Sequence, residues 1–233
     1  MRQVFLDTET TGLYAHQGDR IIEIGCVELV NRKLTGNNLH FYINPGRDSH
    51  EEALKVHGIT TEFLQDKPPF DSIAGDLLAY LKDAEVIIHN AAFDVGFLNV
   101  ELALVGLDGL RTHVVGIVDT LVMAKAMFPG KRNSLDALCD RLGVDNSGRT
   151  LHGALLDAEL LADVYINLTR GQDALLIDPG CDDTSAATRV RADLRRLELP
   201  VVLANSTELK AHDEVLLQID KSSAGKTLWR EAA

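Results

Sequence analysis

Cysteine is scarce: Cys26, Cys139 and Cys181 are scattered through 233 residues, and none stands at metal-ligand spacing from another. Such an odd set argues against a disulfide framework and against a cysteine-bound zinc, and makes a reducing cytoplasm the expected location. No apolar run approaches the ~20 residues that a membrane span needs, so no membrane partner is expected. The opening MRQVFLDTE runs straight into a strand pattern and carries no signal-peptide pattern. Cations are also short: Lys and Arg total 23 against 35 Asp and Glu, a net charge of −12. A chain this acidic binds nucleic acid poorly unless its carboxylates recruit cations or a partner supplies the affinity. There is no internal repeat. What remains is ordinary for a soluble globular protein, with 45% apolar and 25% charged residues. The length suits one full-sized domain plus an appendage, or two small domains.

Apolar patterning predicts three strands in succession: QVFLDTE, IIEIGCVELV at 21–30, and NNLHFYINPG at 37–46, which closes on a Pro-Gly turn. Leu39, Phe41 and Ile43 alternate, giving the third strand one exposed face. Helical spacing follows over 71–82, then a short strand at 84–90, a helix at 93–106 and a strand at 114–121. Ser134 is placed to cap a helix over LDALCDRLG that Gly143 ends, and 153–169 is a long helix. Strands followed by alternating helices and strands predict an α/β fold with a mixed central sheet, complete by about residue 170. Beyond it lie a Gly/Asp/Ser/Thr-rich linker over 171–187 and a small α/β tail over 188–233. The tail reads as a basic amphipathic segment, a lone strand, and a helix whose start Asn205 and Glu208 can cap.

The chemistry is concentrated in VFLDTETTGL, where two acids follow an apolar strand. Asp7 and Glu9 are two apart, so on a strand they share a face and stand roughly 6–7 Å apart along it. A solvated strand end is the plain alternative for a bare D-x-E. Asp94 opens the helix after the IIHN strand, a junction at which α/β sheets gather functional groups; a favourable charge at a helix start is the alternative there. Asp157 lies in the otherwise apolar GALLDAELLA, and a carboxylate on an apolar helix face needs a partner; an exposed position is its alternative. Four converging carboxylates repel one another and raise one another's pKa values. Divalent cations resolve that conflict, and hard oxygen ligands point to Mg²⁺ or Mn²⁺, two such ions ~3.5–4 Å apart forming the usual clamp for displacement at phosphorus. His152 precedes Asp157 by five residues, about 500° of helix, so the two share no helical face and His152 belongs to the preceding loop. An imidazole beside metal carboxylates suits a general base.

The segments LDTETTGL, IIHNAAFDVGFL and HGALLDAELLADVY resemble the three exonuclease motifs of the DEDDh family, with Asp7, Glu9, Asp94, His152 and Asp157 at its five motif positions. The resemblance covers roughly 1–170 and implies a ribonuclease-H-like fold and 3′→5′ exonuclease activity with two divalent metals. Asp7, Glu9 and Asp157 are then expected to hold the first metal, with Asp7 bridging to a second that Asp94 supports, and His152 to deprotonate the attacking water. RIIEIGCVELVNRKLTGNN, KVHGIT, FPGKRNSLDALC and the terminal TLWREAA extend the likeness along nearly the whole chain, to the epsilon-type proofreading subunits of bacterial DNA polymerase III. That likeness implies that Glu52 and His57 contact the terminal nucleotide, beside Asp7, Glu9 and Asp157; Thr8 and Thr10 either position it or pack the strand edge.

Within the same family, QDALL resembles a sliding-clamp-binding pentapeptide through Gln172, Leu175 and Leu176, and 198–233, ending in Leu228 and Trp229, is expected to dock on the polymerase catalytic (alpha) subunit. Tethering would supply the affinity that a charge of −12 denies, and a frayed single-stranded 3′ end would reach the site at the lowest unstacking cost. The location implied is the bacterial cytoplasm, at the replisome. An RNA-trimming nuclease of the same chemistry and a non-catalytic scaffold stand as the alternatives.

Overall fold

The computed structural model describes residues 1–148, 151–170 and 204–223. β1 (Arg2–Thr10) and β2 (Ile21–Val30) are long antiparallel partners, with Asp7 opposite Gly25 and Glu9 opposite Glu23. β3 (Lys33–Leu34) and β4 (Leu39–Tyr42) both pair antiparallel to β2. Next come α1 (Glu51–His57), α2 (Thr61–Leu64), α3 (Phe70–Leu81), β5 (Glu85–Ile88), α4 (Ala91–Leu104) and β6 (Gly116–Asp119). α5 (Thr120–Met127), α6 (Leu135–Leu142) and α7 (Ala154–Leu168) follow, and α8 (Ser206–Ser223) lies in the tail. The sheet runs β3-β2-β1-β5-β6, with β1, β5 and β6 parallel to one another. It is the mixed α/β sheet that the patterning predicts.

The strands that bear the chemistry are buried on both faces, so apolar side chains alternate between two cores. Val4 and Leu6 pack toward Phe70, Leu77 and Leu81 of α3 and Leu98 and Leu102 of α4. Phe5 packs on the other side with Leu138 of α6 and Ala158, Leu161 and Val164 of α7. Continuing that alternation sends Asp7 and Glu9 to the α7 side and Thr8 to the α4 side. β5 pairs with β1 only at Gln3–Phe5, so the acidic end of β1 projects beyond the parallel partner, at the carboxyl end of the strands.

Small residues set how closely α7 lies on the sheet. Ala154, Ala158 and Ala162 recur every four residues and are fully buried. Opposite them stands Gly25, where a Cβ would lie 2.2 Å from Leu155 N and 2.4 Å from the Ala154 oxygen. Only glycine permits that approach. On the other face, Arg20 donates twice to Glu101 at 2.7 Å, and Glu101 also accepts from Ile21 N–H at 3.1 Å, so α4 is fastened to the start of β2.

The predicted capping features are present. Ser134 accepts from Ala137 N–H at 3.4 Å, and Gly143 ends α6 in the left-handed conformation. Asn205 accepts from Thr207 and Glu208 N–H while Glu208 accepts from Asn205 N–H at 2.8 Å, a reciprocal capping box. Differences occur in the third strand, which pairs only over 39–42, and in the strand predicted at 114–121, which ends at Asp119 where α5 begins. The chain divides into two compact units, Met1–Pro179 and Gly180–Ala233. The clamp-like Gln172, Leu175 and Leu176, together with Leu228 and Trp229, lie outside the described residues.

Candidate active site

One cleft of about 290 Å³ is lined by Asp7, Thr8, Glu9, Asp94, His152 and Asp157. All five residues expected to carry the chemistry therefore meet, from three segments far apart in sequence. Ligand atoms of Glu9, His152 and Asp157 lie within 4.8 Å of one another. Asp7 and Asp94 line the same cleft outside this tightest trio. His152 sits in the loop just before α7, with Nδ1 3.2 Å from Asp157 Oδ2. The backbone N–H of His152 donates to Val56 O in α1 at 3.1 Å, which fastens that loop from its other side.

Asp94 is buried in the first turn of α4 and accepts the Thr8 hydroxyl at 2.7 Å. Burial is the main influence on it and pushes its pKa up from 3.8 to about 7, against the Thr8 hydrogen bond, which lowers it. The α4 start is held by Asp119, whose carboxylate accepts from Asn90 and Ala91 N–H while also capping α5 through Leu121 and Val122 N–H. Without metal, Asp94 binds protons in the folded state that the unfolded chain has released. Stability of the metal-free protein therefore falls as pH rises from about 4 to about 7. Asp94→Asn can still accept the Thr8 hydroxyl but carries no charge. In EDTA at pH 8 it is expected to melt several degrees above the wild type, the difference shrinking toward pH 4, as calorimetry across that range would record.

Glu52 is placed elsewhere, in a neighbouring cleft of about 770 Å³ with Leu13, Tyr14, Asp19, Arg47 and Val56. His57 lines neither cleft. It is buried, its Nδ1 accepts from Ile59 N–H at 2.9 Å, and among the described residues its Nε2 has no hydrogen-bond partner. Burial lowers its pKa and favours the neutral ring, which then carries an unsatisfied Nε2–H. The Thr10 hydroxyl donates to Gly12 O at 2.6 Å, tying down the turn after β1. Sequence reasoning did not single out His89, Asn90 or Asp136, or Ser134 beyond its cap, as lining the carboxylate cleft. The signals were their places beside the IIHN strand and in the NSLDAL helix start.

The donor set fits a divalent cation: carboxylate oxygens dominate, the imidazoles of His152 and His89 are at hand, and no cysteine lines the cleft. Neither of the two described free cysteines, Cys26 and Cys139, is accessible.

Comparison with known proteins agrees with this geometry. The RNase_T exonuclease family model matches residues 4–165. The chain is 50% identical over 242 positions to DNA polymerase III subunit epsilon of Pasteurella multocida, covering 99% of this chain and 94% of that one. It is 47% identical over 239 positions to the subunit of the same name from Escherichia coli K12, covering 98% and 97%. Among solved structures it resembles exonuclease X in complex with 5′-overhanging duplex DNA, with a TM-score of 0.55, 26% identity, and coverage of 72% of this chain and 91% of that one. Exonuclease I shares the fold, with a TM-score of 0.65 at 19% identity over 75% of this chain and 42% of that one.

Proposed function

The chain belongs to the RNase T exonuclease family and, within it, to the DNA polymerase III epsilon subunits, and from that premise we propose how its residues divide the chemistry. The protein is a divalent-metal-dependent 3′→5′ exonuclease that proofreads. Asp7, Glu9, Asp94 and Asp157 would hold the cations, Mg²⁺ or Mn²⁺ and two in number. Bound there, they would supply charge neutralisation at the phosphodiester and a more acidic attacking water. His152, in the tautomer that donates Nδ1–H to Asp157, presents the Nε2 lone pair and accepts the proton of that water. Thr8 holds Asp94 in place at the floor of the cleft. Glu52, which lines the neighbouring cleft, and His57 would receive the terminal nucleotide. The observation that carries this reading is the convergence of Glu9, His152 and Asp157 within 4.8 Å, in the cleft that Asp7 and Asp94 also line.

Selectivity then follows from fraying, since an unpaired 3′ terminus enters the cleft without the cost of unstacking. A 5′-labelled primer with a mispaired 3′ end is expected to lose deoxynucleoside monophosphates several-fold faster than a paired one in Mg²⁺, and to lose none in EDTA. A matched RNA strand degraded as fast as DNA would favour an RNA-trimming role instead.

The tail over 188–233 would dock on the polymerase catalytic subunit, and 172–176 on the sliding clamp, placing the protein at the replisome in the bacterial cytoplasm. Support for docking comes from α8, which leaves Leu209, Val215, Leu217 and Ile219 exposed. No helix among the described residues is long and apolar enough to cross a membrane. Deleting 186–233 is expected to leave nuclease activity on free single strands within about twofold and to abolish co-elution with the polymerase subunit, because domains that fold alone keep their own chemistry.

A further inference from the structure

The start of α7 carries two of the site residues, yet it has no cap of its own. Its N-cap residue is Gly153, which has no side chain to offer the first-turn N–H groups. The acceptor comes instead from β2, 131 residues away in sequence: Glu23 Oε2 accepts the Ala154 N–H at 3.1 Å. Glu23 is 2% exposed and stands opposite Glu9 in the β1–β2 register. Its other oxygen, Oε1, lies 2.7 Å from Nε2 of His40 on β4, so both oxygens are engaged. A buried carboxylate persists only where partners replace its water, and a helix start is a favourable neighbour for negative charge.

Two residues along the same strand, Gly25 brings the backbone of Ala154 and Leu155 against the sheet. Gly25 therefore sets the height of the α7 start above β2, while the Glu23 bond sets its place along and around the helix axis. His152 lies two residues before Ala154, and Asp157 one turn after it. Both move with the Ala154 peptide, whereas Glu9 moves with β1. The spacing of the Glu9–His152–Asp157 trio thus depends on the bond between β2 and α7.

We propose that Glu23 is a positioning residue for the nuclease reaction, holding the Ala154 N–H so that His152 and Asp157 face Glu9 at working distance, with His40 fixing the Glu23 carboxylate. The proposal rests on the nuclease reading above. It requires an acceptor at position 23, with no need for a charge. Glu23→Gln can still accept from Ala154 through its amide oxygen and can donate its amide to His40 in the other ring tautomer. Glu23→Met fills the same volume and accepts nothing. Misplacement by about 1 Å at a reacting centre costs on the order of a hundredfold in rate, which sets the scale for the methionine variant.

The full chain and its Glu23→Gln, Glu23→Met and His40→Ala variants would be compared for mononucleotide release from a labelled single strand at saturating Mn²⁺. Ala154 amide exchange would be followed in the metal-free proteins. Glu23→Met is expected to lower kcat by about ten- to a hundredfold with KM within threefold, and to speed Ala154 exchange while amides of β1 keep their protection. Glu23→Gln is expected to restore kcat to within about threefold. His40→Ala, at a partly exposed position that opens no core, is expected to lower kcat by a few-fold with the same unchanged KM. Wild-type kcat in both Glu23→Met and His40→Ala overturns the proposal, as does a glutamine variant as slow as the methionine one. Release of no mononucleotide by the wild type would count against the nuclease reading itself, whereas an active wild type with indifferent variants sinks only the role of Glu23.

Discussion

Asp7→Ala is expected to release mononucleotides on the order of 10³-fold more slowly than the wild type, with no loss of thermal stability in EDTA. The two halves of that expectation have separate physical origins. Asp7 stands on β1 just past the end of its pairing with β5, and its strand is anchored by Val4, Phe5 and Leu6, all fully buried. Removing the side chain leaves those anchors and the backbone pairing with Gly25 untouched. It also removes one of several like charges lining a single cleft, a change that relieves repulsion when no cation is bound. On the proposed assignment catalysis would fail because the remaining acids would no longer surround the cations. Mn²⁺ binding followed by electron paramagnetic resonance should weaken in step with the rate. Full activity in Asp7→Ala would refute the assignment of the carboxylates to metal.

The legible part of this protein is the part in which one residue type has one reason to be where it is. β2 reads directly from 21 to 30, because a strand buried on both faces is a mostly apolar run between polar turns, here interrupted by Glu23 and Glu28. The trio of site segments could be read because a carboxylate within apolar sequence needs a partner, and Asp157 finds His152. Less legible were α1 and α2, which are seven and four residues long and too short to show a period. The junction of β6 and α5 was hidden by an apolar run on both sides of it, and Asp119 marks the break only through hydrogen bonds to four backbone N–H groups, two of them from Asn90 and Ala91 at the start of α4. Glu23 was invisible for a related reason. In IIEIG a single acid reads as the exposed edge of a strand, and only the fold brings the Ala154 N–H and His40 to it.

His152→Gln separates the two roles that its position allows. The ring lies close enough to Glu9 and Asp157 to ligate a cation with them, and it is placed equally well to take a proton. Its side chain is 43% exposed while Asp157 is 5% exposed, so the imidazole can pass an accepted proton on to solvent. The loop that carries it is tied through the His152 N–H to Val56 O, while the ring is held at Nδ1 by Asp157 Oδ2. Glutamine can still donate to Asp157 Oδ2 and can neither accept nor release a proton at neutral pH. If the ring is the base, kcat falls by about 10²- to 10⁴-fold while affinity for single-stranded DNA and for Mn²⁺ stays within about threefold. If the ring is instead a ligand, Mn²⁺ affinity drops and excess metal restores much of the rate. An unchanged rate would exclude both roles, and the chemistry would then have to draw its base from the other imidazole in the cleft, His89, whose Nδ1 is already engaged with Thr120 and whose burial disfavours taking up a proton.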